Sequence, residues 1–474
     1  MVEDLFTIFP PYGLIIIGIL LQTIFGLIKS PRLVFKYKNV NIITSNIISI
    51  LSVIGAAIGI SLIPDFYLGF ENSIKIQPFS KYLSYLVLFS GLTTILLNGY
   101  LLKENRQSCY KYHILLLTAI LGGLLTLVAN DFITLFVSLE TLSFAIYFLI
   151  AFSRGYSSKE ASFKYLITNS VSIAFLLFGV SYLLGITSSV NFDEITQILQ
   201  TPSNTIIYTV SCLMIFAGLV MKLAIFPFAN WIIDVYTGTD TSTLNLLSTI
   251  PKISIIGVLI HLLSSVMSFS FELTITILLL SILTAFWANI YAIKENNIKR
   301  ILACSSSANA CYLLIALPIL TPINNAAIIF YLLCYILINS GIFSYLNLYE
   351  PEIKDFELSK IPKPKNYILT IAFAISVIGL AGLPISSGFV AKIYLLYAII
   401  SSGIMFLPIL IVLLILFAIA LYYYIKILKI ILNPEIGQKP SKGASTVLAS
   451  LGIITLILGV VPFYLITYCI KLFS

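Results

Sequence analysis

The sequence has little charge. Only 10% of its 474 residues are charged, whereas 59% are hydrophobic, and the mean hydropathy is +1.05. That composition leaves too little polar surface for a water-soluble globule, so we expect the chain to lie in a lipid bilayer. Ten-residue segments of alternating hydrophobicity are lacking, whereas apolar runs of about 20 residues recur between short polar breaks. The predicted fold is therefore an all-α polytopic membrane protein.

Motifs for cofactors are also missing. The six cysteines are scattered without CxxC spacing, and the sequence contains neither a Walker motif nor a dinucleotide fingerprint in a polar segment. We therefore expect no cofactor and no metal site in this chain. The formal net charge of +8 does not indicate a nucleic-acid partner, because the basic residues fall in short loops where membrane topology explains them.

The apolar runs predict about fourteen transmembrane helices. Their approximate positions are 11–29, 41–63, 82–102, 112–129, 132–152, 163–186, 205–228, 242–265, 272–293, 301–320, 326–347, 366–388, 390–431 and 445–468. Lysine and arginine gather in loops after odd-numbered spans, whereas loops after even-numbered spans hold only Lys75 and Lys81. Since positive charge is retained on the cytoplasmic side, the odd-numbered loops are predicted to lie there.

Lysines also occur inside the apolar runs, at Lys164, Lys222, Lys252 and Lys392. An ionisable group in the membrane interior costs at least ~2.5–3.5 kcal/mol, so such residues commonly mark an ion pathway. Each lysine alone could instead reach an interface or pair for packing. The four together favour a pathway for protons, because desolvation disfavours the ammonium form and lets an amine exchange protons near neutral pH.

A carboxylate and helix-breaking residues accompany these lysines. Glu140, deep in the fifth span, is predicted to pair with Lys164 in the next one, either as a movable pair or as a static salt bridge. Lys222 comes five residues before Pro227, which is expected to break its helix. Lys252 directly follows a proline and is a candidate connecting site between the two halves of the chain.

The segment before Lys392 holds Gly382, Pro384 and Gly388, which predict a second interrupted helix. The two histidines are weaker candidates for proton relay. His113 borders a basic loop and is predicted to lie at the membrane interface, and His261 lies toward the end of its span.

Four segments resemble the antiporter-like subunit N of complex I, a family related to Mrp-type cation/proton antiporter subunits. They are KLAIFPFANWIIDVYTG, PKISIIGVL, NIKRILACSSSANACY and GLAGLPISSGFVAKIYLLY. The resemblance implies two inverted five-helix repeats that each contain a broken helix. The implied domains are an N-terminal three-helix segment at 1–111, a first repeat at 112–265, a second repeat at 266–432 and a C-terminal helix at 433–474.

The same resemblance implies a role for each residue. Glu140 and Lys164 match the coupling pair, Lys222 the broken-helix lysine, Lys252 the central connecting lysine and Lys392 the terminal lysine of the exit half-channel. The sequence departs from the family at two positions, where Ala229 and Asn309 replace histidines. Asparagine can hold water but cannot carry a proton as imidazole does.

The expected function is proton translocation within a complex I-type NADH-quinone oxidoreductase. NAD, flavin, iron–sulfur clusters and quinone are then expected in partner subunits, and the partners are other membrane subunits, including neighbouring antiporter-like ones. The alternatives are a subunit of an Mrp-type antiporter or membrane-bound hydrogenase, and a structural scaffold whose proton path has decayed. Frequent isoleucine and lysine, without a transit segment, favour a bacterial plasma membrane over an organellar inner membrane.

Overall fold

The structure is a computed structural model in which the chain is almost entirely helical. It describes residues 2–28, 38–104, 109–153, 156–199, 205–267, 271–319, 321–350, 356–358, 367–401, 403, 407–432, 442–462, 466–467 and 469–470. Within these ranges, ten helices are long and apolar enough to span a bilayer, and four shorter apolar helices accompany them. The predicted all-α polytopic membrane architecture is confirmed.

The described residues form seventeen helices and one antiparallel two-stranded sheet. The strands are β1 (Tyr67–Gly69) and β2 (Ile74–Ile76). The helices are α1 (Val2–Ile28), α2 (Lys38–Leu62), α3 (Pro78–Glu104), α4 (Cys109–Val128), α5 (Phe132–Phe152), α6 (Tyr156–Thr187), α7 (Phe192–Ile198), α8 (Thr205–Lys222), α9 (Trp231–Gly238), α10 (Thr241–Ser264), α11 (Phe271–Lys294), α12 (Ile298–Ala316), α13 (Pro322–Tyr349), α14 (Tyr367–Ala381), α15 (Ser387–Ser401), α16 (Leu407–Leu432) and α17 (Lys442–Val460).

The chain divides into two compact units. Unit 1 comprises Met1–Lys222 and Gly238–Ser268, and unit 2 comprises Leu223–Thr237 and Phe269–Ser474. The repeat boundaries implied by the resemblance stay a prediction. The orientation in the membrane also stays a prediction. It depends on basic loop residues, many of which lie outside the described ranges, including Arg32 and the lysines of 360–365.

Helix α10 is the central helix of unit 1, where it packs against α3, α4, α5 and α8. Polar side chains tie it to α3. Asn245 Nδ2 donates hydrogen bonds to the hydroxyls of Thr93 (3.2 Å) and Thr94 (3.0 Å), and the hydroxyls of Ser90 and Thr249 lie 2.5 Å apart. Hydrogen bonds between helices satisfy polar groups that have no water to contact in a bilayer. This packing encloses the middle of α10, which carries Lys252.

A polar cap at one end of unit 1 joins the β-hairpin to α7. Lys75 Nζ lies 2.5 Å from Asp193 Oδ1, and Asn130 Nδ2 donates to Asp193 Oδ2 over 3.0 Å. Burial acts to raise the pKa of Asp193, but the hydrogen bonds from Lys75 and Asn130 and the charge of Lys75 outweigh it. They hold the pKa of this carboxyl below its usual value.

Replacing Asp193 with Asn is expected to loosen the β-hairpin at neutral pH. A carboxyl whose pKa is lowered by folding stabilises the fold above its ordinary pKa of about 4, and that contribution is lost as the pH falls further. The pair is partly exposed, so its loss corresponds to less than about 1 kcal/mol. Hydrogen exchange of residues 67–76 should be faster in Asp193→Asn at pH 7, with the difference shrinking toward pH ~3. Glu194→Gln serves as the neighbouring control, and equal exchange in wild type and Asp193→Asn at pH 7 would contradict the assignment.

In unit 2, helices α12 and α13 are almost completely buried. Helix α13 packs against α14, α15 and α17, and α11 packs against α12 and α16. Helix α12 occupies the predicted tenth span, although its serine-rich sequence keeps it out of the set of apolar spanning helices. Its polar hydroxyls are tolerated there because neighbouring helices surround it.

The sequence over 366–431 can be divided either as two spans, 366–388 and 390–431, or as a broken helix followed by a long one, and the structure has the second arrangement. Helix α15 ends at Ser401 and α16 begins at Leu407, and Gly403 between them has a φ of 151°, which side chains rarely allow. Both flanking segments are apolar, so hydropathy alone could not show the break. Counting α8 with α9 and α14 with α15 as broken helices, and leaving out the short α7, the described residues still hold the predicted fourteen.

Candidate functional sites around the lysines

Lys222 is the last residue of α8, at the predicted helix break. Ala224 has a φ of 55°, and the chain does not resume a helix until Trp231. The Lys222 amine donates hydrogen bonds to Ser143 Oγ on α5 and Asn169 Oδ1 on α6, both over 2.8 Å. Among the described residues it forms no salt bridge. These two uncharged oxygens hold the amine inside unit 1.

Close packing between α6 and α8 places Asn169 beside this amine. Ser172 Oγ donates to the carbonyl oxygen of Gly218 over 2.6 Å. A Cβ on Gly218 would lie 2.7 Å from the carbonyl oxygen of Ser172, and one on Gly179 would lie 2.7 Å from the Ile215 side chain. Both glycines therefore let the two helices approach closely.

Glu140 lies on α5, one turn before Ser143, and is half-buried. The sequence predicts that Glu140 pairs with Lys164, and this pairing stays a prediction. The structure places Glu140 on the helix that supplies Ser143 to the Lys222 amine, a relation that sequence spacing did not reveal.

Lys164 is less buried than its apolar surroundings suggested. Its side chain is 39% exposed on the surface of this chain, and its amine lies 2.7 Å from Glu160 Oε1. Lys164 falls on the outer face of α6, so this chain alone does not enclose its amine, and the predicted role of Lys164 stays a prediction. Glu160 was overlooked, although its position four residues earlier on the same helix is the spacing of a helical ion pair.

Lys252 lies within α10 and is only 5% exposed, which confirms its expected burial. Two hydroxyls near it in the sequence donate to backbone carbonyl oxygens. Ser248 donates to the Asn245 carbonyl (3.0 Å), and Ser254 donates to the Gly123 carbonyl (3.1 Å). These bonds stabilise α10 and its contact with α4.

Lys392 lies on α15 in unit 2, just after the second helix break. The whole residue is only 8% exposed. Its amine donates a hydrogen bond to the carbonyl oxygen of Leu380 over 2.9 Å. That carbonyl belongs to the last turn of α14, where a helix has no internal donor for it. The amine also lies 4.5 Å from the ring centre of Phe417 and 5.3 Å from that of Tyr312.

A small cavity adjoins Lys392 within unit 2. Its volume is about 10 Å³, and its lining includes Asn309, Tyr331, Tyr335 and Lys392. That volume is close to the minimum for one water molecule. Asn309, one of the two positions where the sequence is expected to depart from the family, is among its lining residues.

His113 is fully buried within the chain, and its position at the membrane interface stays a prediction. Its Nδ1 lies 3.0 Å from Ser49 Oγ, which also accepts a hydrogen bond from Gln22 Nε2 over 3.2 Å. Helices α1 and α2 pack on α4 and cover the ring, which a nearby basic loop could not reveal. His261 is half-buried against the ring of Phe192, with 5.4 Å between ring centres.

The fold and these sites define a class of protein, the antiporter-like membrane subunits. Residues 129–420 match the family model "NADH:quinone oxidoreductase/Mrp antiporter, TM". The chain is similar in fold to a chain of respiratory complex I from Thermus thermophilus, with a TM-score of 0.80, 24% identity and coverage of 96% of this chain and 98% of that one. It is also similar to a chain of the Mrp complex from Dietzia sp., with a TM-score of 0.79, 18% identity and coverage of 100% and 97%.

Two curated relatives show which family within this class the chain belongs to. NADH-quinone oxidoreductase subunit N of Anoxybacillus flavithermus is 34% identical over 337 residues, which cover 68% of this chain and 67% of the relative. The subunit N of Blochmanniella floridana is 32% identical over 449 residues, covering 89% and 86%. The chain belongs to the NADH-quinone oxidoreductase subunit N family. The resemblance noted in the sequence is thereby confirmed.

Among the described residues, no group of three or more His, Cys, Asp or Glu side chains is placed to hold a metal ion. The six cysteines are free and buried. They act as small packing residues within the helices.

Proposed function

We propose that this chain moves protons across the membrane as the subunit N of a complex I-type NADH-quinone oxidoreductase. The movement is coupled to quinone reduction in partner subunits. One observation carries the proposal: the amines of Lys222 and Lys392, each beside a helix break, bond to uncharged oxygens within the described residues. Neutral oxygens stabilise a buried ammonium group less than a carboxylate does, so these sites do not fix the amines in the charged form.

The contacts of Lys222 suit both protonation states. As an ammonium group, it donates to Ser143 Oγ and Asn169 Oδ1. As a neutral amine, it offers a lone pair to which the Ser143 hydroxyl can donate, because a hydroxyl is both donor and acceptor. A proton can therefore leave without stranding a polar group.

Glu140 supplies the electrostatic control. A carboxylate one helical turn from Ser143 favours the ammonium form of Lys222, and moving that charge away favours release of the proton. Lys164 can draw the carboxylate of Glu140 away if it exchanges partners with Glu160, to which it is now paired. Lys252 and Lys392 then act as further proton-accepting amines, in the order that the family resemblance implies.

The redox chemistry lies outside this chain. We place NAD, flavin, iron–sulfur clusters and quinone in partner subunits, and the other membrane subunits of the complex, including antiporter-like ones, beside this one. The relatives named above are bacterial proteins. They favour the plasma membrane of a bacterium as its location.

Replacing Lys392 with Met in the assembled complex tests this proposal. Methionine keeps an unbranched side chain of similar length in place but cannot accept a proton. NADH-driven proton pumping in inverted membrane vesicles is expected to fall at least ~10-fold, the scale of lost proton-transfer catalysis. Lys429→Met, an exposed lysine on α16, is the matched control. Coupled pumping at the wild-type rate in Lys392→Met would refute the proposal.

A subunit of an Mrp-type antiporter is the second candidate, favoured by the fold similarity to the Mrp complex. It would use the same lysines without NADH or quinone. Isolation of the native assembly distinguishes the two functions. Subunits that carry flavin and iron–sulfur clusters will copurify with a complex I subunit, whereas an antiporter assembly lacks them.

A further inference from the structure

The Lys392 amine faces two aromatic rings and a backbone carbonyl within unit 2. Its nitrogen lies 4.5 Å from the ring centre of Phe417 on α16 and 5.3 Å from that of Tyr312 on α12. Both distances are within the ~6 Å over which an aromatic face attracts a cation. The amine also donates to the Leu380 carbonyl oxygen, at the negative end of the α14 helix dipole. Each of these groups favours the ammonium form over the neutral amine without carrying a formal charge.

Carboxylates are missing from the helices that surround this amine. Helix α15 packs against α12, α13, α14 and α17, and α16 supplies the Phe417 ring. The sequences of these six helices contain neither Asp nor Glu. A buried ammonium group is ordinarily paired with an opposite charge. On these helices, uncharged groups therefore decide how strongly Lys392 holds its proton.

The titratable groups that face this part of α15 are thiols and phenols, which are ordinarily uncharged near pH 7. They are Cys311 and Tyr312 on α12, Tyr331, Cys334 and Tyr335 on α13, and Tyr424 on α16. Helices α14 and α17 have titratable residues only at their first positions, Tyr367 and Lys442. The basic residues of α12 and α16 lie about 13 Å or more along the helix axis from Tyr312 and Phe417. The aromatic faces are therefore the electron-rich side chains closest to the charge that Lys392 carries when protonated.

Two features of unit 2 hold the Phe417 ring beside the lysine. A Cβ on Gly382 would lie 3.0 Å from the Phe417 ring and 3.1 Å from Lys392 Cδ, and the φ of Gly382, 67°, favours glycine. The Asn289 side chain on α11 donates to the Leu416 carbonyl oxygen over 2.8 Å, next to Phe417. The glycine lets the ring and the lysine stem approach each other, and Asn289 fixes the turn of α16 that carries the ring.

We propose that Phe417 is a positioning residue that stabilises the protonated form of Lys392 through the face of its ring. The inference rests on the proposed function, in which Lys392 takes up and releases a proton. A carboxylate in this place would hold the ammonium form more strongly, because it carries a full negative charge. The ring has no net charge, so it raises the fraction of protonated amine and still lets the proton leave.

Fluorinated phenylalanines at position 417 test this role with little change in the shape of the ring. Fluorine draws electron density from the ring face and weakens its attraction for a cation. Mono-, di- and trifluorinated phenylalanine are introduced in the complete complex, and protons pumped per NADH are measured in inverted vesicles across a range of pH. The alkaline pH at which pumping falls to half should decrease with each added fluorine, because the ammonium form becomes less favoured. Across the series, the decrease is expected to reach about 0.5 pH unit or more.

The same amino acids at Phe373, a fully buried residue of α14 that packs against Tyr345, are the matched control and should leave the pH profile unchanged. Phe417→Leu should shift the profile at least as far as the fluorinated series, whereas Phe417→Tyr keeps an aromatic face and should retain the wild-type profile. An unchanged profile, or lower pumping without a shift, would overturn the role of Phe417. If Lys392→Met is inactive in the same assay, the proposed function still stands. Wild-type pumping by Lys392→Met would overturn both.

Discussion

Replacing Lys222 with alanine is expected to lower proton pumping by the assembled complex at least ~10-fold. The change removes the amine that bonds to both Ser143 Oγ and Asn169 Oδ1. The remaining serine and asparagine can hold water, but neither takes up a proton near neutral pH. Pumping should be measured with NADH in inverted vesicles.

Two observations keep this result interpretable. Lys159→Ala removes an exposed lysine from α6 and is expected to pump like the wild type, which controls for loss of positive charge. The amount of the subunit in the purified complex controls for assembly. Wild-type pumping by a fully assembled Lys222→Ala complex would exclude Lys222 from the proton path.

Replacing Gly388 with alanine is expected to prevent stable assembly of the subunit. A Cβ at this position would overlap the carbonyl oxygen of Gly379, so α15 could no longer begin so close to α14. Overpacking in a buried contact commonly costs about 1–3 kcal/mol and more where backbone must move. The break that positions Lys392 beside the Leu380 carbonyl would be displaced.

The matched control for this prediction is Gly185→Ala on α6. A Cβ there would meet nothing within 4 Å, and alanine favours a helix over glycine by about 1 kcal/mol. Thermal denaturation of the purified complex and the yield of the subunit in it are the measurements. A Gly388→Ala complex as stable as the Gly185→Ala complex would contradict the close approach of α14 and α15.

The lysines and the helix breaks could be predicted because each is marked by particular residues close to it in the sequence. Lys222, Lys252 and Lys392 stand as single charges in apolar runs, and prolines and glycines mark both breaks near Lys222 and Lys392. The position of the break after Ser401 could not be predicted, because apolar residues flank it on both sides. A hydropathy profile shows which residues prefer lipid to water, but it does not show where the backbone changes direction.

The acceptors of the lysine amines could not be predicted in the same way. Ser143 and Asn169 lie 79 and 53 residues from Lys222 along the chain, and nothing local connects them. The Leu380 carbonyl that accepts from Lys392 is backbone, which carries no sequence signal. The burial of His113 likewise depends on how α1 and α2 pack, which is decided by tertiary contacts.

The central claim is that the Lys222 amine changes its charge during turnover. Lys222→Arg tests it most directly, since a guanidinium group keeps the positive charge and the hydrogen-bond donors but cannot give up its proton. With assembly verified, the claim predicts that the arginine variant pumps as poorly as Lys222→Ala. Restoration of NADH-driven pumping by arginine would show that a fixed charge suffices at this position.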